Sequence, residues 1–180
     1  MSSKFYQKEI RKMTSQKSKF AQTALISALA ALTAVTTIMV RVPIPATNGY
    51  FNIGDVFIIL AGLWLGPKAG LIVGAVGSSV ADAVGFPVYI LATFAVKGLE
   101  GLVAGLPIKK TVAALLAAIV MVAGYYVFEA FIYPMLGNRI PMFAITTPEA
   151  ALIALLPNAV QGIAGAVGGL ALWHSIANKK

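Results

Sequence analysis

Apolar residues run almost unbroken through six stretches of the chain, at 20–40, 55–65, 69–84, 88–106, 112–133 and 148–175. Most of these approach or exceed the roughly 20 residues that a helix needs to cross a hydrocarbon core. The second is short and runs straight into Gly66-Pro67-Lys68. Proline just past a helix is a stop signal. Stretches 55–65 and 69–84 are therefore expected to form a tight hairpin, with 55–65 beginning inside the preceding loop or one of the pair re-entrant. The pattern predicts an all-α membrane protein with six transmembrane helices, forming one domain over 20–180 behind a polar leader at 1–19.

Composition agrees. Of 180 residues 59% are apolar and only 11% charged, too little charge to cover a water-facing surface. That excludes a soluble enzyme and a disordered chain. The net charge of +8 raises nucleic acid as a partner, but its placement argues for membrane topology instead. Lys4, Lys8, Arg11, Lys12, Lys17 and Lys19 precede the first stretch, Lys68, Lys109 and Lys110 fall in connections on that same side, and Lys179 and Lys180 end the chain. Only Arg41 and Arg139 fall on the other side. By the positive-inside rule both termini are cytoplasmic, and the leader 1–19 is a basic cytoplasmic segment in a multi-pass protein of the cell membrane.

Lipid supplies no hydrophobic drive between helices, so they associate through small residues that let backbones approach. Gly70-Gly74-Ser78, Gly101-Gly105 and Gly162-Ala166 give such stripes at four-residue spacing. Ala24 and Ala28 give another in the first stretch. For that one, packing within the bundle and docking of another membrane subunit are equally good readings.

Ionisable residues inside a membrane are costly and mark functional sites by default. Asp55, Asp82, Lys97, Glu100 and Glu129 are of this kind. Asp82 extends the 70-74-78 stripe and faces the interior. Lys97 is expected to reach Asp82 or Glu100, locking the third and fourth helices by an ion pair, unless Lys97 or Asp82 is kept for a ligand. Tyr125, Glu129 and Tyr133 share a helix face. Two phenols and a carboxylate suit a flat ring bearing hydroxyls or amines; an interfacial aromatic belt is the alternative, and fits Tyr133 best. Asn158 and Gln161 face the bundle, to bond across helices or to read a ligand edge. The two long loops, 41–54 and 134–147, fall on the outer side with most of these groups and suggest an outward-facing pocket.

Several chemistries are absent from the sequence. There is no cysteine, hence no thiolate site. No phosphate loop, H-E-x-x-H pair or nucleophile elbow occurs, so neither a catalytic nor a metal site is assigned. Binding without an energy source suggests a subunit of a larger machine. The rival classes are an integral membrane enzyme acting on lipid, with Asp82, Lys97 or Glu100 as acid and base, and a ligand-free scaffold.

The run Phe51-Asn52-Ile53-Gly54-Asp55 through Leu63-Trp64-Leu65-Gly66-Pro67-Lys68-Ala69-Gly70, its continuation to Ala81-Asp82, and Phe94-x-x-Lys97-Gly98-x-x-Gly101 resemble the energy-coupling-factor (ECF) transporter S components. Within that family the resemblance is to the hydroxymethylpyrimidine or pyridoxine branch, near the riboflavin-type members. It implies a substrate-binding subunit that holds a vitamin in an outward pocket and is not itself an enzyme. It also implies a membrane T component and two ABC-type ATPases as partners, with ATP used there and no cofactor in this chain. The family's Ala-x-x-x-Ala docking motif matches Ala24 and Ala28. The expected substrate contacts, taken from polar chemistry and placement, are Asn52, Tyr89, Lys97, Tyr125, Glu129, Asn158 and Gln161, with Asp82, Lys97 and Glu100 as structural charges. Riboflavin or another vitamin is the alternative ligand. Nucleic acid is not an expected partner.

Overall fold

A computed structural model describes residues 3–178, and their side chains from residue 16 onward except Lys17. The basic side chains of the leader at 4, 8, 11, 12 and 17, and Lys179 and Lys180, lie outside the described residues.

Among the described residues six helices follow one another: α1 Ser3–Met39, α2 Asp55–Leu65, α3 Pro67–Gly85, α4 Ile90–Ala104, α5 Lys110–Gly137 and α6 Pro148–Ala177. A single 3-10 turn, Pro87–Tyr89, leads into α4. Five are long and apolar enough to cross a membrane: Ser18–Met39 within α1, α3, α4 with its leading turn, α5 and α6. Their ends fall within about four residues of those read from the apolar pattern, the usual boundary error. Helix α2 is different. Its 11 residues rise about 16 Å, roughly half a hydrocarbon core. It is buried from Ile58 to Leu63 and packs against all five other helices. It is the bundle's central post rather than a span long enough to cross by itself.

The expected tight hairpin is present. Gly66 alone separates α2 from α3, at φ 92°, a conformation that favours glycine. Its N–H closes α2 on the Gly62 carbonyl at 2.9 Å, and Pro67 opens α3, where a missing N–H costs nothing. Lys110 at the start of α5 donates to the Leu63 carbonyl at 2.9 Å, satisfying an orphan acceptor at the end of α2.

Small residues set the helix contacts, as the stripes predict. A Cβ on Gly70 would fall on the Gly101 carbonyl, and one on Gly101 on the Gly70 carbonyl. So α3 and α4 touch backbone to backbone. A Cβ on Gly165 would lie 2.6 Å from the Asp55 Cβ, which fixes α6 against the first turn of α2. Near the α2–α3 turn the core is aliphatic: Ile59 and Leu63 against Ala104, Ala113, Ala114, Ala117 and Ala166. Toward the opposite end it becomes polar.

Two features were not expected. The 41–54 loop contains an antiparallel hairpin, β1 Val42–Ile44 with β2 Gly49–Phe51, in the register Val42↔Phe51 and Ile44↔Gly49. Both α3 and α5 also contain a wide π turn, at Val73–Gly77 and Phe128–Ile132. Such turns concentrate at functional sites, and the second holds Glu129.

Candidate functional site

The polar end of the bundle is built in two layers. The lower layer is ionic. Lys97 Nζ lies 2.5 Å from Asp55 Oδ1 and 3.1 Å from Glu100, all three nearly inaccessible. Asp55 Oδ2 accepts from Gln161 Nε2 at 2.9 Å. Gln161 Oε1 in turn accepts from the Asn52 backbone N–H at 2.9 Å. The Asn52 side-chain oxygen takes the Gly54 N–H at 2.8 Å and the Thr37 hydroxyl at 3.3 Å. One chain of hydrogen bonds thus runs from α4 through α2 and α6 to the hairpin and α1. Both ends of the Gln161 amide are used, so its orientation is fixed.

This corrects the expected pairing of Lys97 with Asp82. Gly74 packs on the carbonyl of Lys97 itself. Asp82 lies eight residues further along α3, about 12 Å away by helical rise, and stands near Thr93 instead. The ion pair locks α4 to α2, and Asp82 takes no part in it.

The upper layer is a small cavity of about 20 Å³ lined by Tyr50, Asn52, Asp82, Tyr89, Thr93, Tyr125, Glu129, Asn158 and Gln161, with Ile44 and Gly49 of the hairpin above. That volume holds about one water. The Tyr50 phenol donates to Asp82 Oδ1. Burial, then the Asp82 charge, pushes the Tyr50 phenol up, so at neutral pH it stays a donor. The Tyr89 hydroxyl lies 2.7 Å from the Thr47 carbonyl and 3.1 Å from Glu129 Oε1. Tyr125 shares a 3.0 Å bond with Thr93 and lays its ring 5.5 Å from Lys97 Nζ, separating that cation from the cavity.

Of the expected contacts, Asn52, Tyr89, Tyr125, Glu129, Asn158 and Gln161 converge on the one cavity. Lys97 does not; it sits behind Tyr125 and Asp55. Tyr133 is 1% exposed, stacked 5.8 Å from Phe143 and edge-on to Tyr89, so it braces the site and is no belt residue. Tyr50 and Thr93 line the cavity beyond the expected contacts, Asp82 lines it as well rather than pairing with Lys97, and Asp55, expected only as an ionisable candidate, is the counter-ion of Lys97. Thr93 had a signal, lying one turn before Lys97 on the inward face of α4. The role of Asp55 depends on α2 being central, which its length alone does not reveal.

The hairpin closes the top. Arg41 donates to the Thr37 and Ala81 carbonyls at 3.2 and 2.5 Å, and lies 5.0 Å from the Tyr50 ring and 5.3 Å from that of Phe86. Asn48 reaches the other long loop, donating to the Ile145 carbonyl at 3.0 Å. Helix α1 turns Leu29, Thr33, Ala34 and Thr37 inward and leaves Ala24, Ala28 and Ala31 exposed.

Known proteins agree with this architecture. The solved structure of the S component of a bacterial ECF transporter superposes with a TM-score of 0.68, covering 89% of this chain and 97% of that one at 21% identity. At that identity it supports the fold alone. A Pyrococcus woesei protein, described only as an uncharacterized protein in a gap 3' region, is 37% identical over 145 residues, 76% of this chain and 89% of its own length. Residues 17–178 match the family described as the ECF-type riboflavin transporter, S component. The helical bundle is thus matched by fold, and residues 17–178 by family: the chain belongs to the ECF-type transporter S components.

Proposed function

We propose that the protein is the substrate-binding subunit of a vitamin importer that takes a small pyrimidine or pyridine, such as hydroxymethylpyrimidine or pyridoxine. The observation that carries this is the convergence of six polar side chains, from the loop before α2 and from the α4, α5 and α6 regions, on one cavity. Tyr89 and Tyr125 offer ring faces and hydroxyls, Glu129 an acceptor, and Asn52, Asn158 and Gln161 amide edges. Lys97 acts from behind, holding Asp55 and through it Gln161. The Lys/Arg distribution supports an external hairpin and cytoplasmic termini. Substrate then enters from outside, displacing Tyr50 and the hairpin, since the cavity is water-sized. Riboflavin is the second reading, favoured by the matching family's description. It demands a larger opening than a single ring does.

The transport work falls to partners: a membrane T component and two ABC-type ATPases that hydrolyse ATP. Their docking surface is the exposed face of α1 around Ala24 and Ala28, where methyl groups allow close helix approach. Ala24→Trp and Ala28→Trp test this. Both positions face outward, so the fold tolerates the change within about 0.5 kcal/mol. The purified variants are expected to keep wild-type ligand affinity, while uptake in cells falls to the level without the protein. Unchanged uptake would remove the docking role; loss of binding and uptake together would mean that the face serves the bundle itself.

A further inference from the structure

The cavity lining has a charge character that the proposed function leaves unused. It contains two carboxylates, Asp82 and Glu129, three phenols and no lysine, arginine or histidine. Both carboxylates are enclosed, at 1% and 3% exposure. One oxygen of each is bonded by a phenol, Tyr50 or Tyr89. The other, Asp82 Oδ2 and Glu129 Oε2, has no partner of good hydrogen-bond geometry among the described residues. Thr93 stands beside Asp82 and Thr47 beside Glu129, each a hydroxyl within reach of its carboxyl.

The nearby cations are engaged elsewhere. Arg41 spends its guanidinium on two backbone carbonyls and two rings. Lys97 serves Asp55 and Glu100. Among the described residues, four carboxyls, Asp55, Asp82, Glu100 and Glu129, stand around the site with two cations, Arg41 and Lys97. Buried acceptors left unmatched are costly, and burial disfavours the ionised form of a carboxyl that has no cation beside it. A ligand that supplies positive charge and N–H donors removes both costs.

We infer that the cradle selects a small flat ring carrying a cationic nitrogen, whose protons complete Asp82 Oδ2 and Glu129 Oε2, and that it rejects phosphorylated or carboxylate-bearing rings. This rests on the vitamin-binding reading above and narrows its substrate class to the amine-bearing rings, which makes pyridoxine the weaker counterpart of pyridoxamine. A charge-graded titration tests it. Pyridoxamine and pyridoxine share a ring and differ by an ammonium against a hydroxyl; riboflavin adds a neutral ring, and pyridoxal phosphate and riboflavin phosphate the anions. Wild-type protein is expected to bind a cationic member at least about tenfold more tightly than its neutral counterpart, the scale of a charge-assisted bond. Asp82→Asn and Glu129→Gln are each expected to erase most of that preference. A neutral or anionic compound that binds as tightly, with affinity unaltered by both substitutions, overturns the inference and leaves the S-component reading standing. Silence from every compound removes the ligand cradle, and both readings with it. The wild-type ranking decides even if a variant does not fold.

Discussion

Lys97→Met is expected to destabilise the detergent-solubilised protein by about 3–5 kcal/mol, the scale for removing one partner of a buried ion pair. The substitution keeps the stem and deletes the charge. Asp55 and Glu100, 1% and 0% exposed, are then left facing each other with no cation between them. Gln161 still donates to Asp55, but one amide does not offset a buried carboxylate. For a protein of this size the loss corresponds to a fall in Tm of roughly 6–20 °C. The triple variant Asp55→Asn, Lys97→Met, Glu100→Gln is expected to recover much of it, because neutral groups carry a smaller desolvation cost. Thermal unfolding measures both. A Lys97→Met protein as stable as wild type would show that the triad is no ion-paired lock.

The second large effect is at the α3–α4 contact. Gly70→Val is expected to cost at least about 3 kcal/mol, the upper range for overpacking. What the new side chain meets is the Gly101 backbone carbonyl, which has no rotamer to change. The helices must separate, and the nearby Gly74–Lys97 contact with them. Val76→Leu, on the exposed face of the same helix, is the control and stays within about 0.5 kcal/mol. Equal Tm shifts for the two variants would contradict backbone contact at Gly70.

Much of this architecture is legible from local patterns. The spans come from apolar length, the α2–α3 turn from Gly66-Pro67, and the helix contacts from glycine spacing. The inward position of Tyr125, Glu129, Asn158 and Gln161 is legible because polar groups in a membrane helix are costly enough to demand it, while Asn52 and Tyr89, outside the regular helices, are legible only from polar chemistry and outer placement. The remainder depends on tertiary placement. The three-residue strands of the hairpin are too short for an alternating pattern, and they are held by Tyr89 on Thr47 and Arg41 on Ala81, contacts made between distant segments. The Asn48-Gly49 pair suggests a two-residue hairpin turn, but Gly49 already belongs to β2, opposite Ile44, and the connection is the four residues 45–48. The partner of Lys97 depended on which helix faces α4 at that depth. Spacing along α4 gave Glu100; only the central position of α2 gives Asp55.

Calorimetric titration of the purified protein with a panel of vitamins tests most directly whether the polar cradle is a binding site. The expected result is heat from a single-ring pyridine or pyrimidine at one molecule per chain, abolished by Asn158→Leu or Gln161→Leu in protein that still unfolds cooperatively. The absence of heat with every vitamin, riboflavin included, would mean that these side chains exist only to hold the helices together.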